Sequence, residues 1–251
     1  MNRPSTNIMN VPFSKLTFVE TLDHLSEMLE QKNSGSRPYH LITANPEIVM
    51  KYQTDSELRT IMDEADLITP DGSGIVLASR WQGDPIAERV TGCDLLTGLL
   101  EEGNGRGWSF YFLGADENTS RLAVDKITTQ YSRVRIAGRH HGFFPADEEK
   151  AIVAEISAAR PDVLVVALGA PAAEKWIYRN KQQLNAKLAL GVGGSLDIIA
   201  GKVKRAPLIW QHLHLEWLHR LLSQPSRWRR QLILPVFAMK TLMEGRRRAR
   251  S

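Results

Sequence analysis

The chain has 251 residues, 43% of them hydrophobic, which permits a well-filled core, and it contains no run of about eighteen apolar residues that would cross a membrane. Its single cysteine, Cys93, excludes an internal disulfide framework, and the first thirty residues lack the features of a signal peptide, so we expect a cytoplasmic protein. The net charge of +4 is unevenly divided: residues 202–251 carry twelve basic and two acidic side chains, a net +10, and the rest of the chain carries −6. This division predicts that one end of the molecule contacts an anionic ligand or surface.

The amino-terminal third alternates between short apolar runs and helical patterns. Residues 7–13 are typical of a hairpin arm, and a capping box at Thr17 begins a helix that ends near residue 31. An apolar strand over residues 39–44 runs into a helix start whose N-cap is Asn45. Further helices are predicted over residues 55–65 and 75–80.

Candidate catalytic side chains follow two of these strands. Asp71 stands between a proline, which ends the hydrogen bonding of the strand, and a glycine, which permits the backbone angles that would hold a carboxylate over a cleft. Thr43 and Asn45 occupy the kind of strand-to-helix joint at which open α/β sheets bind ligands. Both sites have a plain alternative, since Asp-Gly is a common turn pair and Thr43 and Asn45 could serve only to cap a helix.

Residues 88–94 form a further joint with a candidate cation. Arg89 lies within it and either pairs with Glu88 or another neighbouring acid or faces a phosphate.

The second half shows the strand-then-helix alternation more openly. Strands are predicted over residues 109–114, 134–138, 163–169 and 189–194, and helices over residues 117–131 and 147–160. Apolar strands at this spacing indicate a mostly parallel sheet with helices on both faces. We therefore predict a Rossmann-like α/β domain over residues 1–200.

Two glycine-bearing loops follow the last two strands. The first contains Gly169, Pro171 and Glu174, and the second contains Gly193, Gly194, Ser195 and Asp197. Bare backbone amides at a helix start suit a diphosphate, and Asp197 could bind ribose hydroxyls or the edge of a base. The alternative is that the glycines only let each helix pack closely, because neither loop has the full dinucleotide fingerprint. The sequence contains neither an Asp-x-Asp triplet nor a P-loop, so we expect no metal ion.

Residues 201–251 form a helical appendage with two apolar stripes. The first contains Trp210, Leu213, Trp217 and Leu221, and the second contains Trp228, Leu232, Val236, Met239 and Met243. Apolar stripes edged by arginine predict amphipathic helices that lie in a membrane interface, and Pro235 favours lying on the bilayer over crossing it. The alternative is that both helices pack on the body with their arginines in solvent. For the last twenty-five residues we favour the membrane.

Taken together, the motifs resemble those of the WecG/TagA/CpsF glycosyltransferases, glycosyltransferase family 26. They occur in the family's order and cover nearly the whole chain: Thr43-Ala44-Asn45-Pro46-Glu47, Pro70-Asp71-Gly72-x-Gly74, Arg89-Val90-x-Gly92-x-Asp94, Phe112-Leu113-Gly114, Gly169-x-Pro171-x-x-Glu174-x-Trp176, Gly191-Val192-Gly193-Gly194-Ser195-x-Asp197, Gly201-x-x-x-Arg205-Ala206-Pro207, Glu216-Trp217-x-x-Arg220 and Pro225-x-Arg227.

The resemblance implies an inverting enzyme that uses neither cofactor nor metal. It would transfer an N-acetylmannosamine-type sugar from a UDP-sugar to N-acetylglucosaminyl-diphospho-undecaprenol, as in teichoic acid synthesis, at the inner face of the cell membrane. The base falls on Asp71, acceptor-side contacts on Thr43 and Asn45, a further site residue on Arg89 and the uridine contact on Asp197. The membrane-docking appendage and its arginines match Arg220, Arg227 and Arg230. Ala173 replaces a glutamine common in the family and removes a hydrogen bond expected in the pocket, so the resemblance leaves open which UDP-sugar is used.

Two functions of other classes remain open. The Rossmann-like alternation and the late glycine motif are also typical of nicotinamide-dependent oxidoreductases, and a basic tail is also typical of nucleic-acid-binding proteins. The apolar stripe of the tail argues against nucleic acid, because a segment that tracks phosphates gains nothing from Leu232, Phe237 and Met243. We also expect the bodies to self-associate into a homo-oligomer, although no residue establishes this.

Overall fold

A parallel sheet organises the protein, of which the computed structural model describes residues 4–31, 37–207, 209–210, 216–223, 228 and 232–248. An antiparallel hairpin, β1 (Ser5–Ile8) and β2 (Val11–Ser14), precedes it. The six parallel strands are β3 (Tyr39–Ala44), β4 (Leu67–Pro70), β5 (Ser109–Gly114), β6 (Arg135–His140), β7 (Val163–Ala167) and β8 (Leu188–Gly191). They lie in the order β4-β3-β8-β7-β5-β6, so β3 and β8, far apart in the chain, are neighbours.

Eleven helices are described around this sheet. They are α1 (Phe18–Gln31), α2 (Pro46–Tyr52), α3 (Ser56–Asp63), α4 (Ser73–Trp81), α5 (Gly92–Arg106), α6 (Glu117–Gln130), α7 (Glu149–Ala159), α8 (Ala172–Asn180), α9 (Ser195–Ala200), α10 (Glu216–Ser223) and α11 (Ile233–Arg248). Helices α1, α5, α6 and α9 cover one face of the sheet, and α2, α3, α4, α7 and α8 cover the other.

The core follows the alternation of side chains along each strand. In β5, Phe110 and Phe112 pack into the cluster beneath α1, α5 and α6, whereas Tyr111 and Leu113 pack beneath α7 and α8. Both faces are therefore buried, which explains why the strands are apolar throughout. The structure confirms the predicted α/β fold with helices on both faces.

The predicted caps are also present. Thr17 and Glu20 form the capping box of α1: the Thr17 N–H donates to Glu20 Oε2 at 2.8 Å, and the Glu20 N–H donates to Thr17 Oγ1 at 3.3 Å. The strands over residues 163–169 and 189–194 end earlier than predicted. Gly169 and Gly193 have φ angles of 78° and 52°, in the left-handed region, which takes the backbone out of the extended conformation.

Helix α5 is the main element that the sequence patterns did not predict. Its fifteen residues contain several glycines, which weaken helix propensity. Packing explains them: a Cβ atom on Gly98 would lie 3.0 Å from Leu22 and Phe18, and one on Gly103 would lie 2.8 Å from Phe110. The helix approaches α1 and β5 closely because these glycines lack side chains.

The last helix, α11, packs on the body through one face. Phe237 and Thr241 are buried, and Gly245 lies so close to Trp81 that a Cβ atom would meet its carbonyl oxygen at 2.5 Å. For the last twenty-five residues the sequence patterns favoured a helix in the membrane interface over packing on the body, and the structure shows that packing. The opposite face exposes Val236, Met239 and Met243, which form an apolar stripe with Leu232 just before the helix. Membrane contact by this stripe stays a prediction. Within the described ranges, no helix is long and apolar enough to span a bilayer.

Candidate active site

The candidate residues collect at the carboxyl edge of the sheet, where β4, β3 and β8 lie side by side. The Asp71 N–H donates to the Ala44 carbonyl at 3.0 Å, and the Val90 N–H donates to the Pro70 carbonyl at 2.8 Å. Hydrogen bonding therefore continues past Pro70, contrary to the prediction, because proline lacks only its own N–H. These bonds bring the backbones of Asp71 and Arg89 next to the end of β3.

The Asp71 loop is held more firmly than a surface turn. Gly72 is the residue before α4, and its φ of 100° is a backbone conformation that favours glycine. A Cβ atom on Gly74 would lie 2.9 Å from the ring of Pro46, so the first turn of α4 packs against the start of α2. Asp71 itself is partly exposed, which leaves its carboxyl group at the edge of the sheet.

Thr43 lies where β3, β8 and α5 meet. Its side chain is 7% exposed, and its hydroxyl is 3.5 Å from the Gly191 carbonyl oxygen, at the limit of a hydrogen bond. A Cβ atom on Gly92 would come within 2.9 Å of the same hydroxyl. The start of α5 therefore sets the space around Thr43.

Asn45 caps α2, as one of the alternatives predicted. Its Oδ1 accepts from the Ile48 N–H at 3.0 Å. Its Nδ2 makes no hydrogen bond to any residue that the structure describes. The cap therefore occupies only the oxygen, and the amide nitrogen remains as a donor.

Arg89 pairs with a residue that sequence proximity did not suggest. Its Nη1 is 2.7 Å from Oε2 of Glu216 in α10, which is 127 positions along the chain. The neighbouring acid, Glu88, instead accepts a hydrogen bond from the Phe18 N–H at 2.7 Å. Of the two alternatives left open for Arg89, the pair with Glu88 is absent, and Arg89 instead joins the body, residues 1–200, to the tail, residues 201–251.

The loop after β7 places an acid beneath the site. Pro171, preceded by a cis peptide bond, is the N-cap of α8, and Glu174 in the first turn is only 3% exposed. Glu174 Oε1 would lie 2.8 Å from a Cβ atom on Gly191, so this carboxyl group is directly under the end of β8. Burial raises the pKa of Glu174 to about 7. Ala173 beside it is also buried.

The loop after β8 presents exposed backbone. Gly193 and Gly194 are exposed, whereas the Ser195 hydroxyl donates to the Val192 carbonyl at 2.6 Å and is buried. Asp197 is partly exposed, and its carboxylate makes no hydrogen bond or ion pair to the described residues. Of the residues predicted in this loop, Gly193, Gly194 and Asp197 can therefore reach a ligand directly.

The predicted arginines of the appendage are only partly placed. Arg227 and Arg230 lie outside the described residues, and for Arg220 the structure describes the backbone in α10 but not the side chain. In the described part of the chain, no three His, Cys, Asp or Glu side chains are grouped as metal ligands would be.

Sequence reasoning missed the structural roles of Gly92 and Glu216. Both residues lie in motifs that we quoted, which is the one signal that could have found them. Their partners, Thr43 and Arg89, are far away in the chain, and no local pattern points to either contact. The resulting arrangement places a carboxylate, a hydroxyl, an amide and a guanidinium on one sheet edge, which suits proton transfer beside an anionic group.

Comparison with known proteins finds that the chain is similar to glycosyltransferases. The model of the glycosyl transferase WecG/TagA/CpsF family matches residues 6–251. An N-acetylglucosaminyldiphosphoundecaprenol N-acetyl-beta-D-mannosaminyltransferase of Bacillus spizizenii is 32% identical over 95% of this chain and 93% of its own length. Proteins of the same name from Bacillus subtilis and Staphylococcus aureus are 32% and 30% identical over 94% and 95% of this chain, and over 91% and 92% of their own lengths. These matches confirm the resemblance drawn from the motifs.

Proposed function

Because the chain belongs to the WecG/TagA/CpsF family of glycosyltransferases, we propose that it transfers N-acetylmannosamine from a UDP-sugar to N-acetylglucosaminyl-diphospho-undecaprenol. The reaction proceeds with inversion and without a metal ion, and its product enters teichoic acid or a related surface polymer. The observation that carries the proposal is the position of Asp71, held by backbone hydrogen bonds beside Thr43 and Asn45 at the carboxyl edge of the sheet.

In this mechanism Asp71 is the general base. A hydroxyl of the acceptor sugar attacks the anomeric carbon, its C–O bond forms as the bond to UDP breaks, and its proton passes to the Asp71 carboxylate. A carboxylate is too weak a base to ionise a sugar hydroxyl beforehand, but it can accept the proton while the bond forms. A single displacement of this kind inverts the anomeric centre.

The acceptor side of the site consists of Thr43 and Asn45. The Asn45 amide nitrogen donates to a sugar oxygen while its Oδ1 continues to cap α2. The Thr43 hydroxyl lies at the meeting point of three elements, and this packing supports a fixed orientation toward the sugar. Both side chains orient the attacking hydroxyl toward Asp71.

The donor side must offset the charge of the departing UDP. Arg89 and the appendage arginines, Arg220, Arg227 and Arg230, supply positive charge to the diphosphate, and the exposed backbone of Gly193 and Gly194 supplies N–H donors. Asp197 accepts hydrogen bonds from the uridine. Gly169 and Pro171 determine the backbone conformation of the loop after β7, and the Ser195 hydroxyl holds the loop after β8 through its hydrogen bond to Val192. Glu174 lies buried beneath the end of β8 and supports the backbone there.

The tail brings the enzyme to its lipid substrate. Three exposed apolar side chains of α11 and one just before it form one stripe: Leu232, Val236, Met239 and Met243, with exposed fractions of 57%, 40%, 55% and 57%. Lys240 is exposed on the same helix, and residues 202–251 carry a net charge of +10. An apolar stripe with basic surroundings suits the inner, anionic leaflet of the cell membrane.

The proposal is tested by following radiolabelled sugar from UDP-N-acetylmannosamine to a GlcNAc-diphospho-lipid, with and without EDTA. We expect transfer at equal rates in both conditions and a β-linked product. The same assay with UDP-N-acetylglucosamine and UDP-N-acetylgalactosamine tests the effect of Ala173 on the choice of sugar. If UDP-N-acetylmannosamine is not used, the proposed sugar is wrong, and if none of the three donors is used, the proposed reaction is wrong. Loss of transfer in EDTA would overturn its metal independence.

A further inference from the structure

Two ion pairs join the segment after Gly201 to the body of the enzyme. Arg89 Nη1 lies 2.7 Å from Glu216 Oε2, and the exposed fractions of the two side chains are 18% and 15%. Arg205 Nη2 lies 2.5 Å from Asp94 Oδ1, with exposed fractions of 30% and 29%. Each pair therefore has one member in the body and one in the tail, and both are partly shielded from water.

The two pairs form one network of alternating charge. The pKa of Arg205 is raised: partial burial works against this, but the charge and hydrogen bond of Asp94 outweigh it, and Glu216 adds a smaller contribution. Glu216 thus interacts favourably with an arginine of the body and an arginine of the tail. Opposite charges in this order resist rearrangement, because moving any one side chain leaves its ion-pair partner, which is partly shielded from water, without that counter-charge.

On the body side, the network is fixed to the catalytic loop and to α5. The Val90 N–H, next to Arg89, donates to the Pro70 carbonyl, one residue before Asp71. Asp94 accepts a hydrogen bond from the Thr91 hydroxyl at 2.8 Å, within the N-cap of α5. The backbone of Arg89 is therefore anchored next to the Asp71 loop, and Glu216 holds its side chain in an ion pair.

We infer that Glu216 is a positioning residue, which holds the Arg89 guanidinium in place for the donor diphosphate and thereby makes catalysis depend on docking of α10. The inference rests on the proposed function, in which Arg89 contacts the departing UDP. In this role Glu216 acts through Arg89 and not by contact with the substrate. An arginine held by a carboxylate on one side can present its remaining N–H donors to a phosphate on the other.

A double-mutant cycle on the full chain tests this role. We expect Glu216→Gln to lower kcat on the order of 10- to 100-fold with little change in KM for the UDP-sugar, because the substrate still binds but is held less accurately. In an Arg89→Ala background, Glu216→Gln should not lower kcat any further. Glu244→Gln is the matched control, since Glu244 also joins the tail to the body, through Gln82, but lies on α11 away from the network. It should leave kcat unchanged.

A second readout does not require turnover. Hydrogen exchange of the α10 amides should be faster in Glu216→Gln and in Arg89→Ala than in the unmodified chain or in Glu244→Gln. Unchanged exchange would overturn the inference. So would a double variant in which the effects of the two substitutions on kcat multiply, or a Glu216→Gln enzyme whose kcat exceeds that of the unmodified enzyme. If the unmodified chain transfers no sugar but exchange is still faster in the two variants, the contact is upheld and the failure lies in the proposed function.

Discussion

The Thr43 hydroxyl lies against the backbone of Gly92, so closely that a Cβ atom on Gly92 would approach it to 2.9 Å. This contact joins the end of β3 to the start of α5. It also accounts for a glycine at the first position of a helix. In the proposed mechanism Thr43 belongs to the acceptor side of the site, so we expect activity to depend on the packing of α5.

Gly92→Ala should therefore impair both activity and stability. The added methyl group forces Thr43 or α5 to move, which should lower kcat at least about tenfold and destabilise the fold by roughly 1–3 kcal/mol. Gly105→Ala in the same helix is the control, since a Cβ atom there meets nothing within 4 Å. It should preserve kcat and leave stability equal or up to about 1 kcal/mol higher. Urea unfolding and the transfer assay measure both, and equal behaviour of the two variants would contradict the role of the contact.

Substitution of Asn45 separates its cap from its amide. Asn45→Asp keeps an oxygen for the Ile48 N–H and replaces the amide nitrogen, so the stability should change by less than about 0.5 kcal/mol while transfer falls on the order of 100-fold. Asn45→Ala should lose transfer and also about 1 kcal/mol of stability. Thermal unfolding beside initial rates distinguishes these effects. An Asn45→Asp enzyme with full activity would reduce Asn45 to a helix cap.

The buried Glu174 should make stability depend on pH. Its pKa is raised by burial from 4.5 to about 7, so between these pH values the folded protein binds more protons than the unfolded chain. Stability is therefore lost as the pH rises through this window, by about 3 kcal/mol in total for this group.

Glu174→Gln removes this titration. Relative to the unmodified protein, the variant should gain stability as the pH rises from 5 to 8, which urea unfolding at each pH measures. Glu27→Gln, at an exposed position of α1, should show the pH dependence of the unmodified protein. A constant difference between Glu174→Gln and the unmodified protein across the range would show that Glu174 is already ionised in the fold.

The two faces of α11 should respond differently to substitution. Phe237 is buried against the body, so Phe237→Ala should cost about 3 kcal/mol of stability. Met239 and Met243 are exposed, and replacing both with serine should change stability by less than about 0.5 kcal/mol but weaken binding to anionic lipid vesicles at least about tenfold. Vesicle sedimentation with undiminished binding of the serine variant would contradict membrane contact by this stripe.

Much of the fold could be predicted from local patterns because its strands and caps depend on neighbouring residues. The apolar strands over residues 109–114 and 163–167 and the Asn45 cap follow from burial on both faces and from the need of a helix start for acceptors. Helix α5 was not predicted because its glycines lower local helix propensity. Their close packing against Phe18 and Leu22, which are distant in sequence, and against Phe110 in β5 is visible only in the structure.

For the candidate site, local patterns predicted that the chosen residues would meet at one edge of the sheet, but they did not predict the contacts of those residues. Thr43 lies near the end of β3 and Asp71 directly follows β4, and parallel strands bring such positions to one edge. The pairing of Arg89 with Glu216, however, depends on how the tail returns to the body. The burial of Glu174 likewise follows from β8 lying beside β7. It was not predicted because the residue pattern within a strand does not reveal which strands are neighbours.

The most direct test of the account is the transfer rate of Asp71→Asn, measured together with its affinity for UDP by calorimetry. Asparagine preserves the shape of the side chain and the loop but cannot act as a base. We predict that UDP binds as tightly as to the unmodified enzyme while kcat falls at least about 100-fold, because the loss is confined to proton transfer. An Asp71→Asn enzyme that retains its rate would show that the base lies elsewhere and would contradict the assignment of this loop as the catalytic centre.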